Sequence, residues 1–262
     1  MQCTVLSSGS KGNCLVIEGS SGSLLVDAGL SSKEIVSRLI NAGKRPDDIR
    51  AILVTHEHAD HISGVDVLAR NLNVPVYATG GTLHDFLVHR RRSARPIETH
   101  TCRYNSEFHV SDFIIEPFAT SHDANEPCGF CIREDDTRIG CCTDTGIVST
   151  GMLSLLQRCD GVMIESNHCP VMLREGPYPE FLKRRIQSAR GHLSNAAAAR
   201  CLRTLGRDVH AIILGHVSEV NNTPEKVRTS ARDGLGLLYE ETSLIIATQD
   251  GTSDTCPQVM NL

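Results

Sequence analysis

The sequence predicts an α/β protein with an αββα architecture, in which two mixed β-sheets are sandwiched between outer helices in four layers. Two observations support this fold class. Short apolar runs bounded by turn residues, typical of buried strands, alternate with segments whose apolar residues recur at helical spacing. This alternation occurs twice, and no proline-rich linker, low-complexity block or short repeat divides the chain. We therefore expect residues 1–262 to form one domain.

The first block of alternation is predicted to form one sheet with its covering helices. Its expected strands cover residues 4–6, 14–18, 24–29, 51–54 and 74–77. Its expected helices cover residues 32–42, 65–72 and 82–89. Capping residues set the limits of the first helix, since Ser31 or Ser32 can accept a hydrogen bond from its first turn and Gly43 can end it.

The second block is predicted to form the second sheet in the same way. Its expected strands cover residues 113–118, 129–133, 138–143, 161–165, 211–214 and 244–247. Its expected helices cover residues 150–157, 178–189 and 194–205, and a last helix begins at Thr223 or Pro224. The runs at 161–165 and 211–214 are strongly apolar, which indicates strands buried on both faces.

Four potential metal ligands directly follow the predicted strand at 51–54, namely His56, His58, Asp60 and His61. Imidazole and carboxylate groups are the ligands expected of zinc and its first-row neighbours. In a tight loop, His56 and His58 can point at one ion while Asp60 and His61 turn towards a second. A single histidine here would better fit an ordinary polar loop, but the complete pattern favours a metal site.

Three further polar residues follow predicted strands, namely His122, Asp144 and His216. Loops at strand ends on one edge of a sheet are where a rigid scaffold presents reactive groups. Taken alone, His122 or His216 would more often be a structural histidine. After the intact first motif, the three residues supply the ligands that a two-metal site still needs.

These motifs resemble those of the metallo-β-lactamase superfamily, and the resemblance covers nearly the whole chain. It implies the four-layer αββα metallo-β-lactamase fold and two divalent metal ions, zinc or manganese. The implied ligands of the first metal are His56, His58 and His122. The implied ligands of the second metal are Asp60, His61 and His216, with Asp144 bridging both. Asp27 would support the histidine loop without binding metal itself.

Several segments between these motifs resemble the YycJ/WalJ-type branch of that superfamily. They cover residues 7–13, 121–124, 165–168, 176–179, 191–195 and 221–224. The resemblance implies a metal-dependent 5′ to 3′ exodeoxyribonuclease, related in layout to the ribonuclease Z group, although a fold and family do not by themselves fix a substrate. One position departs from the branch, since Cys169 stands where an acidic residue usually follows Asn-His.

A phosphodiester needs an activated water and a proton for its leaving oxygen. Two metals would activate a bridging water, with Asp60 and Asp144 holding it in place. His192 is the candidate general acid, and Glu165 resembles the family position that orients this histidine and keeps it protonated. The alternative is that His192 is a capping-loop residue and Glu165 is its ion-pair partner.

Six polar residues are candidates for the substrate path. Ser194 or Asn195 is predicted to cap a helix, whose N-terminal N–H groups can bind a phosphate. The other four are Asn167, His168, Asn221 and Asn222. Each of them could equally satisfy the hydrogen bonds of a loop.

Composition excludes some classes of protein. The net charge of -5 argues against a protein that coats nucleic acid through a basic surface. It does not argue against a nuclease, because bound metals add positive charge. The basic segment Arg90–Arg95 is either a solvated face or a phosphate contact, and the resemblance assigns it no role. Cys128 and Cys131 form a C-x-x-C that is either a zinc or redox pair or a coincidence within a strand.

Several features favour a cytoplasmic location. No apolar run reaches the ~20 residues that span a bilayer, and the first residues lack the layout of a signal peptide. The eleven cysteines are odd in number and scattered mostly through apolar runs, which fits reduced core thiols better than a disulfide framework. We therefore expect no membrane association.

The function that these observations favour is a two-metal 5′ to 3′ DNA exonuclease serving DNA repair. The alternative is a small-molecule hydrolase, such as a thioesterase or lactonase, that uses the same binuclear site. The His192 and Glu165 pair favours the phosphodiester. A non-catalytic binding module is disfavoured, because no ligand position is lost. The sequence does not choose between zinc and manganese, nor does it give the strand preference, the oligomeric state or protein partners.

Overall fold

The structure is a computed structural model that describes residues 1–89, 95–250 and 258–262. The basic segment Arg90–Arg95 therefore falls largely outside the described residues, since positions 90–94 are not among them. Among the described helices, none is long and apolar enough to cross a membrane.

The strands, numbered along the chain, belong to two sheets. They are β1 (Gln2–Ser7), β2 (Cys14–Gly19), β3 (Gly22–Val26), β4 (Ile49–Leu53), β5 (Val76–Thr79), β6 (Thr99–Cys102), β7 (Phe108–Val110), β8 (Phe113–Ala119), β9 (Cys128–Glu134), β10 (Thr137–Cys142), β11 (Gly161–Glu165), β12 (Ala211–Gly215), β13 (Ser243–Ile246) and β14 (Gln258–Asn261). The helices are α1 (Ser32–Asn41), α2 (Ala59–Ile62), α3 (Val65–Leu72), α4 (Gly80–His89), α5 (Thr150–Leu156), α6 (Pro170–Glu175), α7 (Glu180–Gln187), α8 (Asn195–Leu205) and α9 (Pro224–Leu235). Two short 3₁₀ helices cover Pro46–Asp48 and Gly236–Glu240.

Both sheets change from antiparallel to parallel pairing along their width. The strand order is β14-β1-β2-β3-β4-β5-β6 in the first sheet and β13-β12-β11-β10-β9-β8-β7 in the second. Pairs are antiparallel from β14 to β3 and parallel from β3 to β6. In the second sheet they are antiparallel from β7 to β10 and parallel from β10 to β13. The carboxyl ends of parallel strands lie at one edge, where loops can gather functional groups.

Three apolar clusters hold the layers together. One lies between the sheets and includes Phe113 and Phe130, which are fully buried. A second packs α5, α8 and α9 on the second sheet, and a third packs α1, α3 and α4 on the first. Helix, sheet, sheet and helix thus form four layers, and the predicted αββα fold class is confirmed.

Most predicted elements appear with small shifts at their ends, and helix caps explain several limits. Ser31 and Ser194 are the N-caps of α1 and α8, accepting hydrogen bonds from the N–H of Glu34 and of Ala197. The helix predicted over 178–189 is shorter, because Pro179 is the extended residue before α7 and Ser188 is extended after it. The C-x-x-C cysteines lie on opposite faces of β9, since Cys128 belongs to the inner cluster and Cys131 to an outer one. They do not form a joint ligand pair.

Several elements were not predicted from the sequence, namely β6, β7, β14, α2, α6 and the two 3₁₀ helices. The strand β14 pairs with β1, joining residues from opposite ends of the chain, such as Gln2 with Asn261. The strand that we expected to end the sheets, β13, is therefore followed by another that extends the first sheet. Short strands of this kind carry too few residues for a periodic pattern.

Candidate metal and catalytic site

All seven candidate ligands lie in loops or on a short helix at one edge of the two sheets. His56 and His58 follow β4, and Asp60 and His61 lie on α2. The others come from the second sheet, where His122 follows β8, Asp144 follows β10 and His216 follows β12. The fold therefore brings together residues that are up to 160 positions apart, since 216 − 56 = 160.

The first group consists of His56, His58 and His122. One ring nitrogen from each lies within 4.8 Å of the others, and His122 Nε2 is 3.3 Å from His58 Nδ1. Burial lowers the pKa of His56, with a further lowering from neighbouring His61, and burial also lowers the pKa of His122. Both rings are thus favoured in the neutral form, which is the form that binds a metal.

The second group consists of Asp60, His61 and His216, again with one atom from each within 4.8 Å. Asp60 Oδ2 is 3.4 Å from His216 Nε2 and 3.5 Å from His61 Nε2. Asp60 is the partly exposed member, whereas both histidines are buried. A carboxylate between two imidazoles is a donor set that suits a divalent first-row metal.

Asp144 links the two groups. It shares a third set of close donor atoms with His56 and His61, and its Oδ2 is 2.7 Å from His61 Nε2. A fourth set joins Asp144 with Glu165, His192 and His216. The carboxylate is therefore placed where it can contact ions held by either group.

The donor atoms of this site fit a metal. Within the described part of the chain, buried His56 Nε2 has no hydrogen-bond partner, and neither oxygen of buried Asp144 accepts a hydrogen bond of good geometry. A buried polar atom without a partner costs about 1–3 kcal/mol. Coordination of a divalent ion would remove that cost.

Three residues of the site have backbone conformations that only glycine adopts easily. Asp27, Asp144 and His216 have φ angles of 61°, 53° and 49°. The left-handed region costs a residue with a Cβ about 1–2 kcal/mol. Each of the three directly or closely follows a strand, so the turn aims its side chain along the sheet edge. The sequence carries no local signal for this conformation.

Asp27 supports the segment after β4 that carries the first four candidate ligands. It is buried, its Oδ1 accepts a hydrogen bond from the Thr55 N–H at 2.8 Å, and its Oδ2 is 2.7 Å from His61 Nδ1. Because His61 donates through Nδ1, its Nε2 faces the second group. This is the supporting position expected for Asp27.

Glu165 holds His192 in a similar way. The fully buried carboxylate accepts hydrogen bonds from the backbone N–H groups of Thr145 and Leu193, at 2.7 and 2.9 Å. Its other oxygen is 3.0 Å from His192 Nδ1, and Asp144 Oδ1 is 3.1 Å from the same nitrogen. Burial opposes a charge on His192, but these two carboxylates outweigh it and raise the pKa of His192 to about 10.

The amide side chains of two candidate substrate residues, Asn195 and Asn222, form hydrogen bonds within the protein. Asn195 Oδ1 accepts from Ser166 and Asn222, and Asn195 Nδ2 donates to Asn222 Oδ1. The Asn222 amide also donates to the backbone carbonyls of Ser166 and Asn167. Since their polar atoms are taken, Asn195 and Asn222 tie together the loops after β11 and β12 and the start of α8. These hydrogen bonds favour the loop-satisfying alternative for both residues, and a contact with substrate stays a prediction.

The other four candidates differ in what their polar atoms do. Asn167 Nδ2 donates to the backbone carbonyl of His216 and lies 3.1 Å from its Nδ1, so Asn167 fixes that ring. The Ser194 hydroxyl is engaged as a helix cap. Among the described residues, His168 Nδ1 and both polar side-chain atoms of Asn221 have no partner although they are buried. These two residues keep free hydrogen-bonding capacity.

One charged pair at the rim was not predicted from the sequence. Arg185 of α7 donates to Asp123 through Nε and Nη2, at 2.5 and 3.2 Å. Asp123 directly follows the candidate ligand His122, and this neighbourhood could have marked it as a candidate site residue in the sequence. Its partner is 62 residues away, and nothing local indicates the pairing.

Comparison with known proteins identifies relatives of this chain. The sequence model of the β-lactamase superfamily domain matches residues 23–217. The chain is 41% identical over 226 residues to exodeoxyribonuclease WalJ of Streptococcus pneumoniae, covering 85% of this chain and 83% of that protein. It is 38% identical over 228 residues to exodeoxyribonuclease YycJ of Bacillus anthracis, covering 87% of this chain and 86% of that protein.

A solved structure agrees with the fold. The crystal structure of the metallo-β-lactamase fold protein YhfI from Bacillus subtilis superposes with a TM-score of 0.75, covering 99% of both chains. The two sequences are only 16% identical, so this likeness concerns the fold alone. It matches the four-layer architecture described above.

Proposed function

The chain belongs to the β-lactamase superfamily and, within it, to the group that contains the exodeoxyribonucleases WalJ and YycJ, and on this basis we propose that it is a metal-dependent nuclease that degrades DNA from 5′ ends. The observation that carries the proposal is 38–41% identity to these relatives over most of both chains. The histidine and carboxylate clusters supply the chemistry that the reaction needs. A cytoplasmic role in DNA repair is part of the proposal.

In this proposal the two donor groups hold two divalent ions, zinc or manganese. His56, His58 and His122 would bind one ion, Asp60, His61 and His216 the other, and Asp144 both. Two such ions supply Lewis acidity, which activates water and neutralises charge on phosphoryl oxygens. The donor set suits either metal, so the choice depends on geometry and availability.

The residues around the ions would perform the proton transfers. His192 is oriented by Glu165 through Nδ1, which leaves its Nε2 to donate a proton to the leaving oxygen of the phosphodiester. Asp60, the partly exposed carboxylate, would accept a hydrogen bond from the attacking water. Because Glu165 is itself fixed by two backbone N–H groups, the acid is held in one orientation.

Digestion of end-labelled double-stranded DNA, with and without added manganese, tests this function. Wild type should release nucleotides stepwise from 5′ ends, and His192→Ala should bind the metals and lose turnover. A fully metal-loaded wild type that cleaves no DNA and no RNA would contradict the proposal. In that case a small-molecule ester or thioester would be the substrate to test next in the same site.

A further inference from the structure

Helix α7 contributes no residue to the donor clusters, yet it exposes an unusual combination of side chains beside them. Phe181 is 74% exposed. Residues 178–191 contain four cationic side chains, Lys183, Arg184, Arg185 and Arg190, and one anionic side chain, Glu180. This excess of positive charge stands against a net charge of -5 for the whole chain.

The segment that follows α7, residues 188–191, is anchored to the loop that carries His122. Arg190 Nε donates to the carbonyl of His122 at 3.1 Å, and Arg190 Nη2 donates to that of Ala124 at 3.3 Å. The Ser121 hydroxyl donates to the carbonyl of Ala189, and His122 Nδ1 lies 3.0 Å from the carbonyl of Gly191. Four contacts therefore fix the segment directly after α7 relative to the first donor group.

Arg185 is the residue of α7 that reaches this group. Its pair with Asp123 uses two of the five N–H groups of the guanidinium, which leaves three for another acceptor. Asp123 Oδ1 is in turn 3.3 Å from His122 Nε2, the nitrogen that faces His58. The Arg185 side chain is 50% exposed, so a phosphate beside the metal centre can reach it. A planar guanidinium fork suits phosphate oxygens better than an ammonium does.

Phe181 lies one helical turn before Arg185. Residues four positions apart share a face of a helix, so the exposed ring and the guanidinium project from the same side of α7. Proteins hold single-stranded nucleic acid with exposed aromatic rings that lie next to cationic side chains. The pair on α7 has this composition and lies beside the candidate metal site. Bases stack on the ring, and the cation follows the backbone.

We propose that the face of α7 formed by Phe181 and Arg185 guides a single DNA strand into the metal site, with Phe181 stacking on a base and Arg185 binding a backbone phosphate. Asp123 is a positioning residue, because it orients the guanidinium. This inference rests on the proposed nuclease function and extends it to the form of the substrate. The strand that enters the site is single, so a duplex end must open before it passes α7.

Two labelled oligonucleotides separate the two contacts. One is a 5′-phosphorylated oligothymidylate, and the other is the same backbone with abasic residues. Binding is measured by fluorescence anisotropy over a range of salt, with metal-loaded protein that carries His192→Ala so that the DNA stays intact. Phe181→Ala should weaken binding of the oligothymidylate about tenfold and leave binding of the abasic strand unchanged. Arg185→Ala should weaken both about tenfold and lower the salt slope by about 0.7, the value for one lost phosphate contact.

Matched controls lie at the far ends of two helices that begin near the site. Arg207 follows the end of α8, about 16 Å from its start, and Leu237 follows α9 and is 93% exposed. Arg207→Ala and Leu237→Ala should bind both strands as the parent does. If Arg185→Ala unfolds at a lower temperature than the parent, Arg185→Gln, which keeps a hydrogen bond to Asp123, replaces it and should show the same loss.

The outcomes distinguish this inference from the function on which it rests. If wild type digests DNA and the α7 variants bind both strands like the controls, the guiding face is wrong and the nuclease stands. Equal weakening of the oligothymidylate and the abasic strand by Phe181→Ala would also overturn the stacking contact. If wild type neither binds nor digests DNA, both proposals fall together.

Discussion

Two buried carboxylates, one from each sheet, hold one histidine each, but the histidines differ in their access to solvent. Asp27 follows β3 and lies 2.7 Å from His61 Nδ1, and Glu165 ends β11 and lies 3.0 Å from His192 Nδ1. In each pair the carboxylate decides which ring nitrogen points into the site. The His61 side chain is fully buried, whereas that of His192 is 15% exposed.

In the proposed function, this difference would separate a metal ligand from a proton donor. The free nitrogen of His61 is 2.7 Å from Asp144 Oδ2, inside the donor clusters. The free nitrogen of His192 belongs to the more exposed of the two rings. In the proposed function, the same carboxylate–imidazole pair would therefore serve two purposes, with the buried histidine as ligand and the more exposed one as acid.

The largest expected effect comes from removing each histidine. His61→Ala should lose metal on dialysis and show no DNA digestion, because it removes a donor from the second group. His192→Ala should keep the metal content of wild type and lose about 10²- to 10⁴-fold in kcat, the usual contribution of a general acid. Metal analysis of dialysed protein and DNA digestion measure both. Loss of metal from His192→Ala as well would contradict the proposed difference between the two histidines.

The first motif was predictable because its information is local. Four candidate ligands lie within six residues soon after an apolar strand, and a strand end is where such groups are presented. Helix starts were predictable for the same reason, as at α9, where Thr223 accepts from the Lys226 N–H. Spacing along the chain determines these features almost alone.

The features that sequence could not provide depend on long-range packing. The pairing of β14 with β1 and the contact of Arg185 with Asp123 join segments that no periodic pattern connects. The same holds for Asn195 and Asn222, since their sequence context leaves open whether their amides contact a substrate or another loop. A polar residue in a loop has the same sequence appearance whether it faces a substrate or another loop, and only the tertiary structure shows its partner.

The supporting carboxylates should differ in what their loss affects. In Asp27→Asn an NH₂ group replaces one carboxylate oxygen, so the Thr55 N–H and the His61 Nδ1–H no longer both have an acceptor on this side chain, and the His61 ring is less firmly oriented. We expect metal affinity to fall about 10- to 100-fold, as for other partners of metal-binding histidines. Competition with a chromogenic chelator measures this. An unchanged affinity would show that His61 is oriented by other groups.

Glu165→Gln should instead spare the metals and reduce turnover. The glutamine oxygen can still accept from the Thr145 and Leu193 N–H groups, but its NH₂ then faces His192 Nδ1 and cannot accept a hydrogen bond from it. We expect kcat to fall about 100-fold with KM and metal content unchanged. Glu165→Asp, which retains the charge on a shorter side chain, should recover part of kcat. No recovery, together with a loss of metal, would place Glu165 among the ligands.

The smallest expected effect comes from removing one of the hydrogen bonds that hold the two carboxylates, Asp27 and Glu165, in place. Asp27 accepts a side-chain hydrogen bond, from the Thr55 hydroxyl at 2.8 Å, whereas backbone N–H groups hold Glu165. Substitution can therefore loosen Asp27 in a way that has no counterpart at Glu165. Thr55→Val should lower the free energy of unfolding by about 1 kcal/mol, measured by urea denaturation of metal-free protein, and weaken metal binding a few-fold. Thr55→Ser keeps the hydroxyl and should retain both values, so an equal loss in the serine variant would mean that the threonine methyl, and not its hydrogen bond, supports the site.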